Sequence, residues 1–370
     1  MLTKNRFCDY TGGDGDTAVS DARVAAERMD RHRLAKPGSP RAADLVAWFG
    51  AVQAQDYAAA KWALALRMRG EVTDADLDEA FNDGRILRTH VMRPTWHFVA
   101  ADDIRWLLEV TAPRVHQALA FGRRYFGLTD AQQRRAARTI ERALERDECL
   151  TRSELAGDLG RAGLPAAGVP LAFVTIYAEI EGVICSGPRR GKQFTYALLD
   201  RRAPQARRVP RDQALGELTR RYFRSHGPAT VRDFVWWSGL TTIDAKRGLE
   251  IVRARRESID GLTYWTVGPR RAIGAARDVV HLLPVYDEYL VAYRDLDAVP
   301  RSKAVWGVLP QTIVSDGQVV GSWKATRGSA APKVDVTLGR SLSRAEHRQL
   351  DRAIQRYTRF AAPSAPRVSG

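Results

Sequence analysis

One order of elements recurs along this chain, and it limits the fold more than any single motif does. Helical patterns followed by a two-stranded β-pattern return at intervals of roughly 80 to 90 residues. A helix expected over 22–34 leads into the first copy, where Leu45, Val46, Trp48 and Phe49 keep helical spacing up to Gly50. A further helical run covers 58–68, Thr73 caps the next, and strands follow over 86–91 and 95–99. In the second copy Thr129 caps a long helix, and Thr151 and Glu154 have capping-box spacing. Leu171, Phe173, Val174, Tyr177 and Ile180 then repeat at three and four residues, and strands flank a basic tip, Gly187-Pro188-Arg189-Arg190-Gly191-Lys192. The third copy places helix starts near Asp212, after Gly227-Pro228-Ala229-Thr230 and at Thr241-Thr242, with a hairpin over 259–265. Three helices and a two-stranded wing make a winged-helix pattern. Beyond Arg277 the alternation is mostly β, with Asp316-Gly317 marking a tight turn, and an amphipathic helix closes the chain over 343–358.

The expected fold is therefore α+β: three tandem winged-helix domains in a concave arrangement, with a small C-terminal β-barrel or sheet packed on the third. The boundaries read from the pattern are a disordered leader over 1–20, winged helices over 21–125, 126–200 and 201–275, a barrel with its helix over 276–362, and a tail over 363–370.

Charge points to the partner. Lys and Arg number 58 against 43 Asp and Glu, a formal +15. Such an excess favours a polyanion, with nucleic acid ahead of a membrane surface, although an Arg-rich coding bias gives the same balance. No apolar run reaches the roughly 18 residues of a membrane span, and 1–16 lacks the make-up of a signal peptide. Cys8, Cys149 and Cys185 are scattered and without metal-ligand spacing. No Gly-rich phosphate loop appears either. A cytoplasmic protein at the nucleoid, with no cofactor and no metal, is the expectation.

Within the first copy, Ala51-Val52-Gln53-Ala54-Gln55-Asp56-Tyr57 joins two helical runs. Residues at i and i+2 share a face only in extended or turn backbone. There, two neutral amides supply donors and acceptors without a charge to desolvate, which suits holding a water or a polar ligand in a groove. A polar loop capping a helix is the other reading, and Asp56 stands where an N-cap is expected. His97, between Trp96 and Phe98 on a strand, faces away from both aromatics and either lines a groove or bonds within the fold. Asp287 and Glu288 invite comparison with glycosidase carboxylates. Their apolar segment, with Tyr286 and Tyr289, favours buried pairing with arginines instead.

These residues resemble a known family, the AlkZ-type winged-helix DNA glycosylases. Val52-Gln53-Ala54-Gln55-Asp56 looks like that family's Gln-hydrophobic-Gln motif, with Ala54 in the middle. Arg93-Pro94-Thr95-Trp96-His97-Phe98-Val99, Leu283-Pro284-Val285-Tyr286-Asp287-Glu288-Tyr289-Leu290 and the Asp316-Gly317 hairpin ending in Gly321-Ser322-Trp323 match in order. The resemblance covers about 23–360. It implies a DNA glycosylase that hydrolyses the N-glycosidic bond of N7- or N3-alkylated purines in double-stranded DNA. Unhooking of interstrand crosslinks made by a DNA-alkylating natural product, as self-resistance or repair, is implied with it. Gln53 and Gln55 are the implied catalytic pair, orienting water and facing the developing positive charge rather than abstracting a proton; Asp56 and His97 are carried as contributors or groove-lining residues. Lys61, Arg67, Arg189, Arg190 and Lys192 are candidate phosphate contacts. The hairpin tip, Asp316, Gly317 and Gln318, is a candidate minor-groove probe. An open channel and a monomer are expected. The residues alone leave open a non-catalytic winged-helix DNA-binding protein, a regulator or resistance factor, whereas a peripheral membrane protein would need a basic amphipathic helix with exposed aromatics.

Overall fold

The computed structural model describes residues 15–269, 279–294, 311–326 and 332–362. Among them the chain runs three times through a similar series: helix, short strand or single bridge, two helices, hairpin. The first unit comprises Ala42–Phe49, Val52–Gln53, Tyr57–Ala65, Asp74–Asn82, Ile86–His90 and Trp96–Ala100. Its last strand lies between the other two, and Gln53 stands opposite His97. The second unit repeats this with Asp130–Arg146, Leu150–Thr151, Arg152–Arg161, Gly168–Ile180, Ile184–Ser186 and Thr195–Leu198, where Leu150 pairs with Tyr196. In the third, Arg211–Ser225, Val231–Ser238 and Thr242–Val252 precede the hairpin Arg255–Ile259 and Leu262–Thr266. A single bridge from Ala229 to Trp265 replaces the short strand there. The helix Ile104–Tyr125 joins the first two units. Another, Gly15–Arg31, precedes them, so chain expected to be a leader is already helical from Gly15; 1–14 lies outside the described residues.

Local chemistry starts these helices. Thr73, Thr129, Thr151, Thr230 and Ser343 each close a capping box with the acid or amide three residues on. Each box satisfies two otherwise orphaned backbone donors, and such a cap contributes about 1 kcal/mol.

The cores do not follow the repeats. Ile86 and Phe98 from one face of the first unit's sheet join Phe49, Trp62 and Phe81 in a core completed by Leu282, Val314, Trp323 and Tyr357. Leu87 and Val99 from the other face join Trp106 with Leu218, Tyr222, Phe234 and Trp237 of the third unit. Side chains alternate across a strand, so this sheet is buried on both faces and locks two other parts of the chain in place. The second unit keeps a core of its own around Ile140, Leu155, Val174 and Tyr196.

The C-terminal strands Lys333–Leu338, Gln318–Thr326, Thr312–Ser315 and Val280–Leu283 form one antiparallel sheet in that order. Among the described residues nothing pairs its two edges, so the expected barrel has no closing pair there. Nor does the sheet pack on the third unit as expected. Its apolar face meets the first: the Trp62 indole N–H donates to Leu282 O at 2.7 Å, and the Trp323 and Tyr357 rings, the latter from the helix Arg344–Ala361, lie 4.7 Å apart. The tight turn is present, with Asp316 and Gly317 at φ 48° and 85°, as a two-residue hairpin requires. No helix among the described residues is long and apolar enough to cross a membrane, and none of their His, Cys, Asp and Glu residues group in a way that could hold a metal.

Candidate active site around the glutamine pair

Gln53 ends the short strand of the first unit, and Gln55 follows two residues later, before the helix that Asp56 caps. The strand fixes the backbone. Ala54 N–H donates to Trp96 O at 2.7 Å, and Arg88 Nε donates to Ala54 O at 3.0 Å. Both side chains are fixed as well. Gln53 Oε1 accepts from Arg93 Nη2 at 2.7 Å, and Gln55 Oε1 accepts from the Trp96 backbone N–H at 3.1 Å. Those partners can only donate, which sets the orientation of each amide. Gln53 is 9% exposed, while Gln55 is open to solvent. Both amides were expected to face a developing positive charge, which their carbonyl oxygens would do, but at Gln53 a guanidinium already holds that oxygen. What the pair presents is its NH2 groups and the second lone pair of each carbonyl.

Behind the strand lies a buried carboxylate. Glu288 Oε1 accepts the Gln53 backbone N–H at 2.6 Å; its Oε2 accepts the Trp237 indole N–H at 2.9 Å and faces His226 Nε2 at 3.4 Å. Burial alone would raise its pKa, yet His226 and the Gln53 N–H outweigh burial and hold it below the usual carboxylate value. Glu288 is thus an anchor for three donors, one of them on the strand that carries Gln53.

Arg93 connects this strand to the third unit. Its Nη1 lies 3.4 Å from Trp236 O, at the end of the helix Val231–Ser238. Gly239 makes that approach possible: it sits at φ 72°, and a Cβ there would lie 2.5 Å from Met92 O. Gly239→Ala should therefore lower stability by at least about 1–2 kcal/mol, the left-handed penalty alone, and draw the third unit away from Arg93. A fall in the urea midpoint with an unchanged m-value checks this.

On the other side of the pair, the first and second units enclose an open cavity of about 570 Å³. Trp96 and Arg88, which hold Gln55 and the backbone before it, form one wall; Phe194, Tyr196 and Lys192 belong to the other. The Arg88 guanidinium lies between the Trp96 and Phe194 rings, at 4.3 and 4.9 Å from their centroids. Burial brings its pKa down to about 10, which leaves it charged at neutral pH.

This geometry can be set beside known proteins. The sequence pattern of the family described as DNA glycosylase AlkZ-like matches residues 46–360. The chain belongs to that family. An interstrand DNA cross-link repair glycosylase of Streptomyces sahachiroi is 25% identical over 331 residues, covering 81% of this chain and 86% of that protein. The solved structure of Streptomyces sahachiroi DNA glycosylase AlkZ superposes with a TM-score of 0.75 at 22% identity, over 92% of this chain and 98% of its own.

Against this AlkZ-like frame, several residues chosen from sequence lie elsewhere than expected. Lys61 is 2% exposed, with Nζ 2.8 Å from carboxylate oxygens of both Asp74 and Asp78. Arg67 is 1% exposed and grips Asp287 with two bonds of 2.8 and 2.6 Å. Both are structural cations, not phosphate contacts, because residues 59–68 are all buried. Asp287 is paired with an arginine, as expected for that segment; Glu288 is not. His97 is fully buried and lines no groove: burial pushes its pKa down to about 3, and the neutral ring donates from Nδ1 to Thr95 O at 2.9 Å. Asp56 accepts the Ala59 N–H at 2.9 Å as an N-cap. In the loop between the second unit's hairpin strands, Arg189 turns back to Asp78 and Asn82, and Arg190 pairs with Glu154, while Lys192 is exposed at the cavity. In the Asp316–Gln318 turn the two outer residues are exposed and the middle one is not. Gly317 is buried under Tyr289, whose hydroxyl donates to Gly317 O at 2.9 Å, and the turn abuts Ala25. Arg93, Arg88 and Glu288 are the residues that sequence reasoning left without a role at the site. Arg93 stood in a quoted motif, but nothing local to it signals a bond to Gln53.

Proposed function

We propose that this protein hydrolyses the N-glycosidic bond of N7- and N3-alkylated purines in double-stranded DNA, as a monofunctional glycosylase acting as a monomer in the cytoplasm. Bulky adducts and interstrand crosslinks are included among its substrates. The observation that carries this reading is the glutamine pair itself: two neutral amides, oriented by partners that can only donate, with Gln55 open to solvent. Alkylation at N7 makes the base a cation, so it departs without a strong general acid. The enzyme has to place a water and stabilise an oxocarbenium-like sugar, and fixed amides do both without a basic group. Gln55 orients the water through its remaining lone pair; Gln53, tied to Arg93 and Glu288, sets the position of the strand.

The family supports the reaction class, and the crosslink-repair name of the 25% identical relative supports the crosslink. A cavity of about 570 Å³, lined by the Arg88 and Trp96 that bond to Gln55 though not by Gln55 itself, is of the size that takes a drug-sized group, which supports a bulky adduct as well as a methyl. We read the three units as winged helices from their order and from the pairing of first and last strands. Lys192 remains the wing's candidate phosphate contact, with Arg190 at its side.

Duplex DNA carrying one 7-methylguanine, beside the same duplex carrying a bulky N7 adduct, tests this. Free modified base and an intact abasic strand are expected from both. Tight binding with no released base would replace the reading by a non-catalytic DNA-binding protein.

A further inference from the structure

Where the first and third units meet beside Gln53, a tryptophan is exposed. Trp236 has 49% of its surface open, whereas the next residue, Trp237, is fully buried. Its placement is not loose. The indole N–H donates to Val291 O at 3.0 Å, and Arg93 reaches the backbone carbonyl of Trp236 itself. The Arg93 guanidinium carbon lies 5.9 Å from the ring centroid, and its Nη2 is bonded to Gln53 Oε1. One side chain therefore spans the gap between the indole and the catalytic amide. Gly239, which admits no Cβ against Met92 O, keeps that spacing short.

Single apolar residues on a surface are ordinary. This one differs in that its polar end is bonded inward, its ring is held from two sides, and it stands a single arginine away from Gln53. We propose that Trp236 is a substrate-contacting residue, its indole packing against the alkylated purine nucleotide whose glycosidic bond the glutamines address. The inference rests on the alkylpurine reading above and names a second recognition element for the same site. The chemistry fits the ligand class. An N7-alkylated purine is flat and positively charged, and indole is the side chain whose ring face attracts a cation most strongly. The Arg93 contact, close to the outer limit of about 6 Å for such an interaction, leaves the ring available. A rigid, pre-placed ring also costs little conformational freedom on binding.

The test uses single-turnover release of 7-methylguanine from duplex DNA by the unsubstituted protein, Trp236→Phe and Trp236→Ala, with unfolding midpoints and affinity for unmodified duplex measured alongside. Trp236→Ala should slow release by roughly tenfold to a hundredfold, the range seen when an aromatic stacked on a base is removed, with affinity for unmodified duplex nearly unchanged. Trp236→Phe keeps a ring and lacks the indole N–H, so it should recover most of the rate. Release by Trp236→Ala as fast as by the unsubstituted protein overturns the proposal. So does a Trp236→Phe variant as slow as Trp236→Ala with a lowered midpoint, which would assign the effect to the bond with Val291. No release by the unsubstituted protein would instead remove the glycosylase reading, and this inference with it.

Discussion

Replacing Gln53 and Gln55 together by alanine should slow base release at least about a hundredfold, the scale of losing one pre-set dipole at a reacting centre. Affinity for the duplex should stay within a few fold. The reason for this separation is geometric. Neither amide is among the cations that would meet phosphates, and both are oriented by groups that survive the substitution, Arg93 and the Trp96 N–H. The single variants should be unequal. Gln55 is open to solvent and Gln53 is 9% exposed, so Gln55→Ala should leave the fold untouched, whereas Gln53→Ala also frees the Arg93 guanidinium. Single-turnover kinetics with a filter-binding control checks both statements, and undiminished release by the double variant would rule out the pair as the catalytic centre.

The second large effect is on stability. Glu288→Ala should destabilise the fold by about 3 to 5 kcal/mol, because it leaves buried donors with nothing to bond. Those donors are the Gln53 backbone N–H, the Trp237 indole and His226. They come from two different units, so the loss should also loosen the contact between them and lower the rate of base release. Glu288→Gln keeps one acceptor oxygen and should fall between. Urea unfolding separates the two contributions: a variant that is folded at low denaturant and still slow has lost the placement of Gln53 rather than the fold.

What could be read from the sequence was what neighbours in sequence decide. Thr73 with Asp76 and Thr151 with Glu154 form boxes because the partner is three residues away, and Asp316-Gly317 turns because both residues tolerate positive φ. The series of elements, repeated three times, follows from the same local rules. The glutamine pair was legible as a polar break between apolar runs, and its family pattern added the chemistry. Burial was not legible. Lys61 and Arg67 look like surface cations until Asp74, Asp78 and Asp287 fold onto them, and Asp287 is 220 residues from Arg67. His97 alternates correctly on its strand, but the strand has a core on each face, so no groove remains for it. The Asp316 turn was rightly placed, but the burial of Gly317 under Tyr289 and Ala25 was not legible, because both come from other parts of the chain.

The bond between Gln53 and Glu288 also has a meaning in time. A ribosome exposes the glutamines long before residue 288 has been joined to the chain. Through that interval the strand lacks its carboxylate, and the first unit lacks Leu282, Val314 and Tyr357, which complete its core. A nascent chain therefore carries both glutamines on a strand whose buried anchor and core are still incomplete. The strand that carries Gln53 gains its buried anchor and its full core only once the chain has been made past Glu288 and Tyr357.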